Sequence, residues 1–538
     1  MRAAYFWGII GWLWFGIVLC QVTPEWSNQV NGQIYDDYIR QLAVSPTGNL
    51  ILCGFIDETT QEDLKVAQFT PQGGLAWEYT YNDSLVNGMD VARVVAADSQ
   101  GRVWVGGFSS TQNSDGWTVI QLDSTGQFCW KHTPAEGMKA VYDLKPAPSG
   151  NAYAIGYSSH PQTGSDFSVV KYQSDGTVKW IAHYNGSGNG LDIPYRVTLD
   201  DSENVLIAGY TTGAVTQRDI TVVKYDSSGN FRWVFAHNGS ANYSDEAADV
   251  AVDDAGNVYV TGFTLETLTG YDIAVAKINR HGQLRWIRLY NQSGGGAEFA
   301  RRIAVHDSNQ IYVAGGSQSK ITLIKYNAMG DTVWVRFYYT LSQDNKINDM
   351  ALDADGNIYL TGWTKEQYYL VNRITTLKYL PDGTLAWDAI YSVPGTDRND
   401  GYGVAIDPSG DVLVSGVSFN GPQHYLVALK LPSSITNISR PKHSAPANID
   451  LHANYPNPFN SRTIILFRNA KTAPICLDVY DATGRKVRTL VRQTFPPGEH
   501  RIIWDGTNQN GENLSSGVYF YRLQSGQIIR TGKMLLLQ

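Results

Sequence analysis

At 538 residues the chain exceeds one ordinary domain, and 43% hydrophobic residues supply enough apolar surface for large cores. A net charge of −8, a pI near 5.7 and the lack of any basic cluster argue against a nucleic-acid partner. Aromatics at 12% and 52 glycines suit a β protein rich in turns, and the four cysteines, Cys20, Cys53, Cys129 and Cys476, lack metal-ligand spacing and read as buried free thiols.

Residues 5–20, YFWGIIGWLWFGIVLC, form an apolar run behind Arg2. A spanning helix needs about 20 apolar residues, so the run reads as the h-region of a signal peptide over 1–20. Cleavage near Val18-Leu19-Cys20 leaves a mature chain from about Gln21 with no transmembrane span. Cys20 as a lipid-bearing cysteine is the alternative, but Leu19 is bulkier than the small residue such sites prefer.

From residue 21 to 431 the chain is a repeat. Its unit is clearest over 245–290, where EAADVAVDD, NVYVTGFT, YDIAVAKIN and LRWIRLY read as four short strands. A strand-two glycine recurs at Gly54, Gly107, Gly156, Gly209, Gly262, Gly315, Gly362 and Gly416. The pattern Gly-x-x-x-Trp recurs at Trp77, Trp130, Trp180, Trp233, Trp286, Trp334 and Trp387. Period-2 alternation marks the strands, and Asp/Gly/Asn turns such as 253–257 and 353–357 mark hairpins whose Asp and Asn side chains can bond the turn backbone. A calcium loop is the competing reading at Asp355, but its ligand pattern is not satisfied. Each tryptophan is usually followed four residues later by an aromatic, giving a stripe that wedges adjacent sheets together; the strand-two glycine is expected to let a neighbouring sheet approach.

Such units joined without helices point to an all-β chain: an eight-bladed β-propeller, with seven blades the alternative. The eighth repeat lacks a fourth strand, and Trp26-Ser27-Asn28-Gln29-Val30 is an orphan fourth strand, so the two are expected to pair. VVKYDSSGNFRW and DVAVDDAGNVYVTGFT resemble the bacterial β-propeller repeats called SBBP repeats. That resemblance implies seven blades, where this sequence counts eight, and an extracellular scaffold with no fixed chemistry.

The one-to-two and three-to-four turns are short and uniform. The two-to-three and inter-repeat loops, which share the opposite face, are long and variable, as in SHPQTGSD, TLETLTGYD and YNGSGNG. Variable loops on a rigid frame are where binding concentrates. An acidic residue recurs at the start of strand one, beside the central channel: Asp37, Asp90, Asp192, Asp245 and Glu298, with Lys139, Asn345 and Asn399 in the other repeats. Turn capping explains it; a channel-mouth ring for a cation, calcium included, is the competing reading. No other metal and no cofactor is expected.

Residues 432–450 read as a Pro/Ser/Asn-rich linker, and the alternating runs of 451–538 as a small Ig-like sandwich. Tyr455-Pro456-Asn457-Pro458-Phe459-Asn460, Gly517, Tyr519 and Lys533 resemble the type A sorting domain of type IX secretion systems, and WDGTNQNGENLSSGVYFYRL is similar to the Ig-like domain of flagellar hook-capping proteins. The chain ends in Gln538, where many sorting domains carry a basic residue. The resemblance implies recognition by an outer-membrane translocon and a product secreted or held at the surface of a Gram-negative-type bacterium.

The functional expectation is a non-enzymatic propeller that binds polysaccharide, matrix or a partner protein through its loop face. Two alternatives compete: a surface-layer component, and a secreted enzyme. Residues 123–130, DSTGQFCW, resemble the tryptophan-docking motif of quinone-dependent dehydrogenases, but the adjacent-cysteine pair and the CxxCH site of those enzymes are missing, and no catalytic constellation stands out.

Overall fold

A computed structural model describes residues 24–537 apart from 32–41, 59–60, 83–87, 111–114, 135–136, 292–296, 318–319, 339–344, 366–370, 397, 421–422, 433–448, 452–453, 455–458, 461, 470–471, 496–497 and 527. The expected signal peptide, Cys20, Asp37 and Tyr455–Pro458 lie outside the described residues. The described residues contain strands and no helix, and the chain divides into two compact units, Met1–Ile435 and Thr436–Gln538.

Turn chemistry builds the first unit. In the hairpin after Glu246–Val252, one carboxylate oxygen of Asp253 accepts from the backbone N–H groups of Ala255 and Asn257, at 3.1 and 2.8 Å. Gly256 turns the chain at φ 75°. The same device holds the turns at Asp353 and Asp407. In the sixth repeat, where His306 stands at the usual aspartate position, Asp307 caps a turn closed one residue sooner and bonds the N–H of Asn309 at 2.8 Å.

Hairpins of this kind assemble four-stranded antiparallel sheets over 43–81, 90–132, 138–184, 193–237, 246–290 and 299–338, in a propeller-like arrangement. An eight-stranded sheet holds two further antiparallel runs, over 345–391 and 398–431, joined by one parallel pairing of Asn372 with Arg398. Trp26–Asn31 pairs antiparallel with Gln423–Leu431, in register from Trp26↔Lys430 to Asn31↔Tyr425, so the first described strand completes the last run. Each first strand packs against the first strand of the next sheet, and Ala43–Val44 packs against Arg398–Ile406.

The repeated tryptophan ties consecutive sheets. The indole N–H of Trp130 donates to the Ser174 carbonyl at 3.2 Å, that of Trp180 to Ser227 at 3.2 Å and that of Trp286 to Ala328 at 3.0 Å. Each acceptor lies in the three-to-four turn of the following sheet, two residues before its glycine. That glycine lies against the indole: a Cβ on Gly176 or Gly229 would overlap the ring of Trp130 or Trp180. Gly-x-x-x-Trp is therefore a socket and a plug for two different neighbours. Trp26 follows the rule across the seam, donating to Pro71 at 2.9 Å.

The strand-two glycine serves a different purpose from the one its spacing suggested. Strand one carries a bulge, for example between Pro194 and Arg196 and between Ala247 and Asp249. The bulge pushes a strand-one carbonyl toward the glycine of the same sheet, so a Cβ on Gly209 or Gly262 would collide with the carbonyl oxygen of Ile193 or Glu246. The close approach comes from the glycine's own hairpin partner. Only in places, as with Trp117 beside Gly156, does a neighbouring sheet also crowd it. Of the cysteines expected to be buried free thiols, Cys53 is buried, whereas Cys476 is partly exposed and Cys129 is exposed.

The second unit has a three-stranded sheet, Ile449–Leu451, Thr463–Asn469 and Gly498–Trp504, and a four-stranded sheet ordered Lys486–Phe495, Ala473–Asp481, Gly517–Ser525, Ile528–Leu536. Residues of both sheets, among them Ile465, Phe467, Leu477, Trp504, Tyr521 and Met534, share one core.

Candidate binding face and channel mouth

Two of the acidic residues at the start of strand one, Asp192 and Asp245, act as caps. Asp192 is 0% exposed; its carboxylate accepts from the N–H of Gly186 at 2.5 Å and of Thr212 at 2.8 Å. Its own N–H donates to Ser165 at 2.7 Å. One residue thus joins an inter-repeat loop to the two-to-three hairpins of two consecutive repeats. Asp245 repeats the arrangement, accepting from Gly239, Leu265 and the hydroxyl of Thr264. Asn399 does the same with its amide oxygen, which accepts from Val393 at 3.0 Å. Glu298 is buried and lies 3.7 Å from the Lys320 ammonium; Asp90 and Asn345 are buried as well, and Lys139 is half-buried. Burial pushes the Asp192 carboxyl up to about 6 against the two amides that favour its ionised form.

Four residues further along strand one lies a second set that the sequence reading did not single out: Asp143, Arg196, Asp249, Arg302 and Asp349, alternating in sign from repeat to repeat. Each aspartate accepts a backbone N–H from the first strand of the next repeat: Asp143 from Val197 at 2.9 Å, Asp249 from Ile303 at 3.0 Å and Asp349 from Val404 at 2.9 Å. The Arg302 guanidinium donates to Asp349 at 2.6 Å, while Arg196 sits 3.8 Å from Asp143 and 3.9 Å from Asp249. The signal was legible as a sign alternation at fixed repeat phase. These charges hold the first strands to one another.

The loop face is hydrogen-bonded yet presents apolar tips. Gly188 donates to Thr212, Ala214 to the hydroxyl of Ser187, and Ser240 meets Glu266 and Thr267 across neighbouring loops. From this frame Val215 and Leu268 project at 93% and 96% exposure, with Leu191 and Tyr243 exposed on the connecting loops.

In the second unit the residues of the sorting pattern divide between core and surface. Phe459 is 2% exposed, bonds backbone to backbone with Leu535 and Leu537, and sits 5.5 Å from the Trp504 ring. Tyr519 stacks edge-on to Trp504 at 5.4 Å and donates its hydroxyl to the Ser515 carbonyl at 2.9 Å, the geometry of a tyrosine corner. Gly517 opens that strand, and Asn460 and Lys533 are exposed.

Comparison with known proteins defines the class first. Residues 239–268 match the family described as a beta-propeller repeat, SBBP, and residues 465–527 match the FlgD Ig-like domain. The chain is thus an all-β protein with a propeller-like repeat unit and a C-terminal Ig-like domain. Among individual proteins, an uncharacterized WD repeat-containing protein, L264 of Acanthamoeba polyphaga mimivirus, is 22% identical over 288 residues, spanning 47% of this chain and 18% of that protein. Among solved structures, PorZ, a bacterial surface component of the type-IX secretion system of Porphyromonas gingivalis, aligns with TM-score 0.32 and 12% identity over 93% of this chain and 70% of its own. Sqt1 from Chaetomium thermophilum aligns with TM-score 0.47 and 12% identity over 76% of this chain and all of its own.

Proposed function

We propose that the chain is an exported, surface-facing β-propeller that acts as a non-enzymatic binding scaffold, engaging polysaccharide, matrix or a partner protein through its loop face. The observation that carries this reading is the division of labour between the two faces. On one face the Asp/Gly turns spend their carboxylates on their own backbone. On the other, loops of unequal length are fixed by Asp192 and Asp245 and expose Val215 and Leu268. Apolar tips on a preorganised frame suit recognition, because little conformational entropy remains to be lost on binding. Asp90, Asp192, Asp245 and Glu298 belong, in this reading, to the frame beneath that face.

We read the repeat unit as eight blades closed by the N-terminal strand; the pairing of Trp26–Asn31 with the last run and the packing of Ala43–Val44 against Arg398–Ile406 support that count. Export by a type IX translocon rests on the resemblance of the C-terminal motif. It accords with a tail that has its own core and a latch at Phe459.

The test is binding of the purified chain to an array of glycans and matrix proteins, with and without calcium. Saturable binding that Val215→Asp with Leu268→Asp weakens establishes the face. Binding lost only without calcium assigns a role to the acidic set. A blank array with folded protein contradicts the scaffold reading.

A further inference from the structure

The strand-one bulges set one extra side chain per repeat beside the axis, at the end of the sheet nearest the loop face. In the second to fourth repeats these are Arg93, Tyr142 and Tyr195. The residue after the strand-two glycine lies next to them and is aromatic in the same repeats: Phe108, Tyr157 and Tyr210. The rings meet in sequence. Tyr142 lies 5.9 Å from Tyr157 and 6.4 Å from Tyr195, and Tyr195 lies 5.9 Å from Tyr210. Charged groups hold both ends. The Arg93 guanidinium sits 4.9 Å from the Phe108 centroid and 5.0 Å from that of Tyr142, and Arg218 sits 4.5 Å from that of Tyr210. Arg218 is ion-paired to Glu246, and the Tyr195 hydroxyl donates to the same carboxylate at 3.2 Å. Tyr142, Tyr157 and Tyr195 are half-buried, each keeping part of its surface toward solvent.

We propose that this arc is a carbohydrate subsite at the mouth of the axis; the inference rests on the loop-face binding reading and names its ligand class. A ligand that fits must satisfy ring faces and polar rims together. A pyranose does so: its C–H face meets the negative face of an aromatic ring, and its hydroxyls reach tyrosine hydroxyls, guanidinium and carboxylate. A purely apolar ligand would strip water from Arg218, Glu246 and the tyrosine hydroxyls without replacing its hydrogen bonds. A cationic ligand would meet Arg93 and Arg218 already placed over the π faces. Fixed rings are also a low-entropy platform, since the contacts that orient them exist before the ligand arrives.

The test is calorimetry of the full chain with cellohexaose, mannohexaose, chitohexaose and a polygalacturonate hexamer, beside collagen and fibronectin as protein probes. One hexasaccharide is expected to bind, and Tyr142→Ala with Tyr195→Ala to weaken it roughly tenfold, the loss of two stacking rings. Tyr142→Phe with Tyr195→Phe is expected to stay within about threefold. Hexasaccharide binding untouched by the alanine pair but lost on Val215→Asp with Leu268→Asp overturns the arc and leaves the loop face standing, as does binding of the protein probes alone. No binding to any probe overturns both. Should the alanine pair fail to fold, tetranitromethane nitration of the wild type decides the matter: the bound hexasaccharide shields Tyr142 and Tyr195, and equal nitration with and without it contradicts the site.

Discussion

Asp192 carries two loops on one buried carboxyl, and its ionisation couples to stability. Its folded pKa of about 6 lies above the ordinary aspartate value near 3.9. Between those values the folded state binds a proton that the unfolded chain does not. The contribution is fullest below about pH 4 and is lost as pH rises through 6. Thermal melts of the wild type and Asp192→Asn at pH 4.5 and 7.5 should therefore differ: the wild type gains more on acidification than the variant, whose side chain does not titrate. Equal gains would contradict the burial argument. Asp192→Ala leaves the N–H groups of Gly186 and Thr212 unpaired, with an expected cost of about 2–4 kcal/mol. The native Asn399 shows that an amide oxygen can do the capping. The recurrence of an acid at this position was plain in the sequence. That it is 0% exposed was not, because the acceptors and donors come from two loops of different repeats.

Between elements, the tryptophan plug sets a contrast that the seam makes testable. Trp180 donates to Ser227, whereas the Trp387 indole N–H is buried and finds no acceptor among the described residues. The reason is topological: the last run takes its fourth strand from Trp26–Asn31, so no three-to-four hairpin follows to offer a carbonyl. Trp180→Phe should cost about 1–2 kcal/mol, and Trp387→Phe should stay within about 1 kcal/mol of wild type, since loss of an unsatisfied donor offsets the smaller ring. Chemical denaturation measures both, and equal costs would contradict the assignment. The Gly-x-x-x-Trp spacing was legible, but its two ends serve different neighbours, which spacing alone does not reveal. The strand-two glycine likewise announced a close approach but pointed to a neighbouring sheet, because the bulge that presses Ile193 or Glu246 of its own sheet onto it has no residue signature of its own. That bulge also hid Tyr142 and Tyr195: strict alternation cannot assign a face to the extra residue.

At the scale of the whole molecule, the fold class, the repeat phase, the seam strand and the Ig-like tail were all visible in one sequence, because hairpin turns and period-2 runs recur at fixed positions. The binding chemistry was less visible, since it depends on which side chains from separate repeats meet around the axis. The alternating charges of Asp143, Arg196, Asp249, Arg302 and Asp349 illustrate this: each is ordinary in its own strand and acquires a partner only when first strands lie side by side. Closure by the N-terminal strand underlies both the axis and the loop face, so it is the claim to test first. Hydrogen–deuterium exchange of the full chain reads it directly. The amides of Trp26–Asn31 that face Gln423–Leu431 should be protected and should open together with that run. Exchange of 26–31 at the rate of an unstructured segment, with 423–431 still protected, would contradict the closed repeat unit and the face built on it.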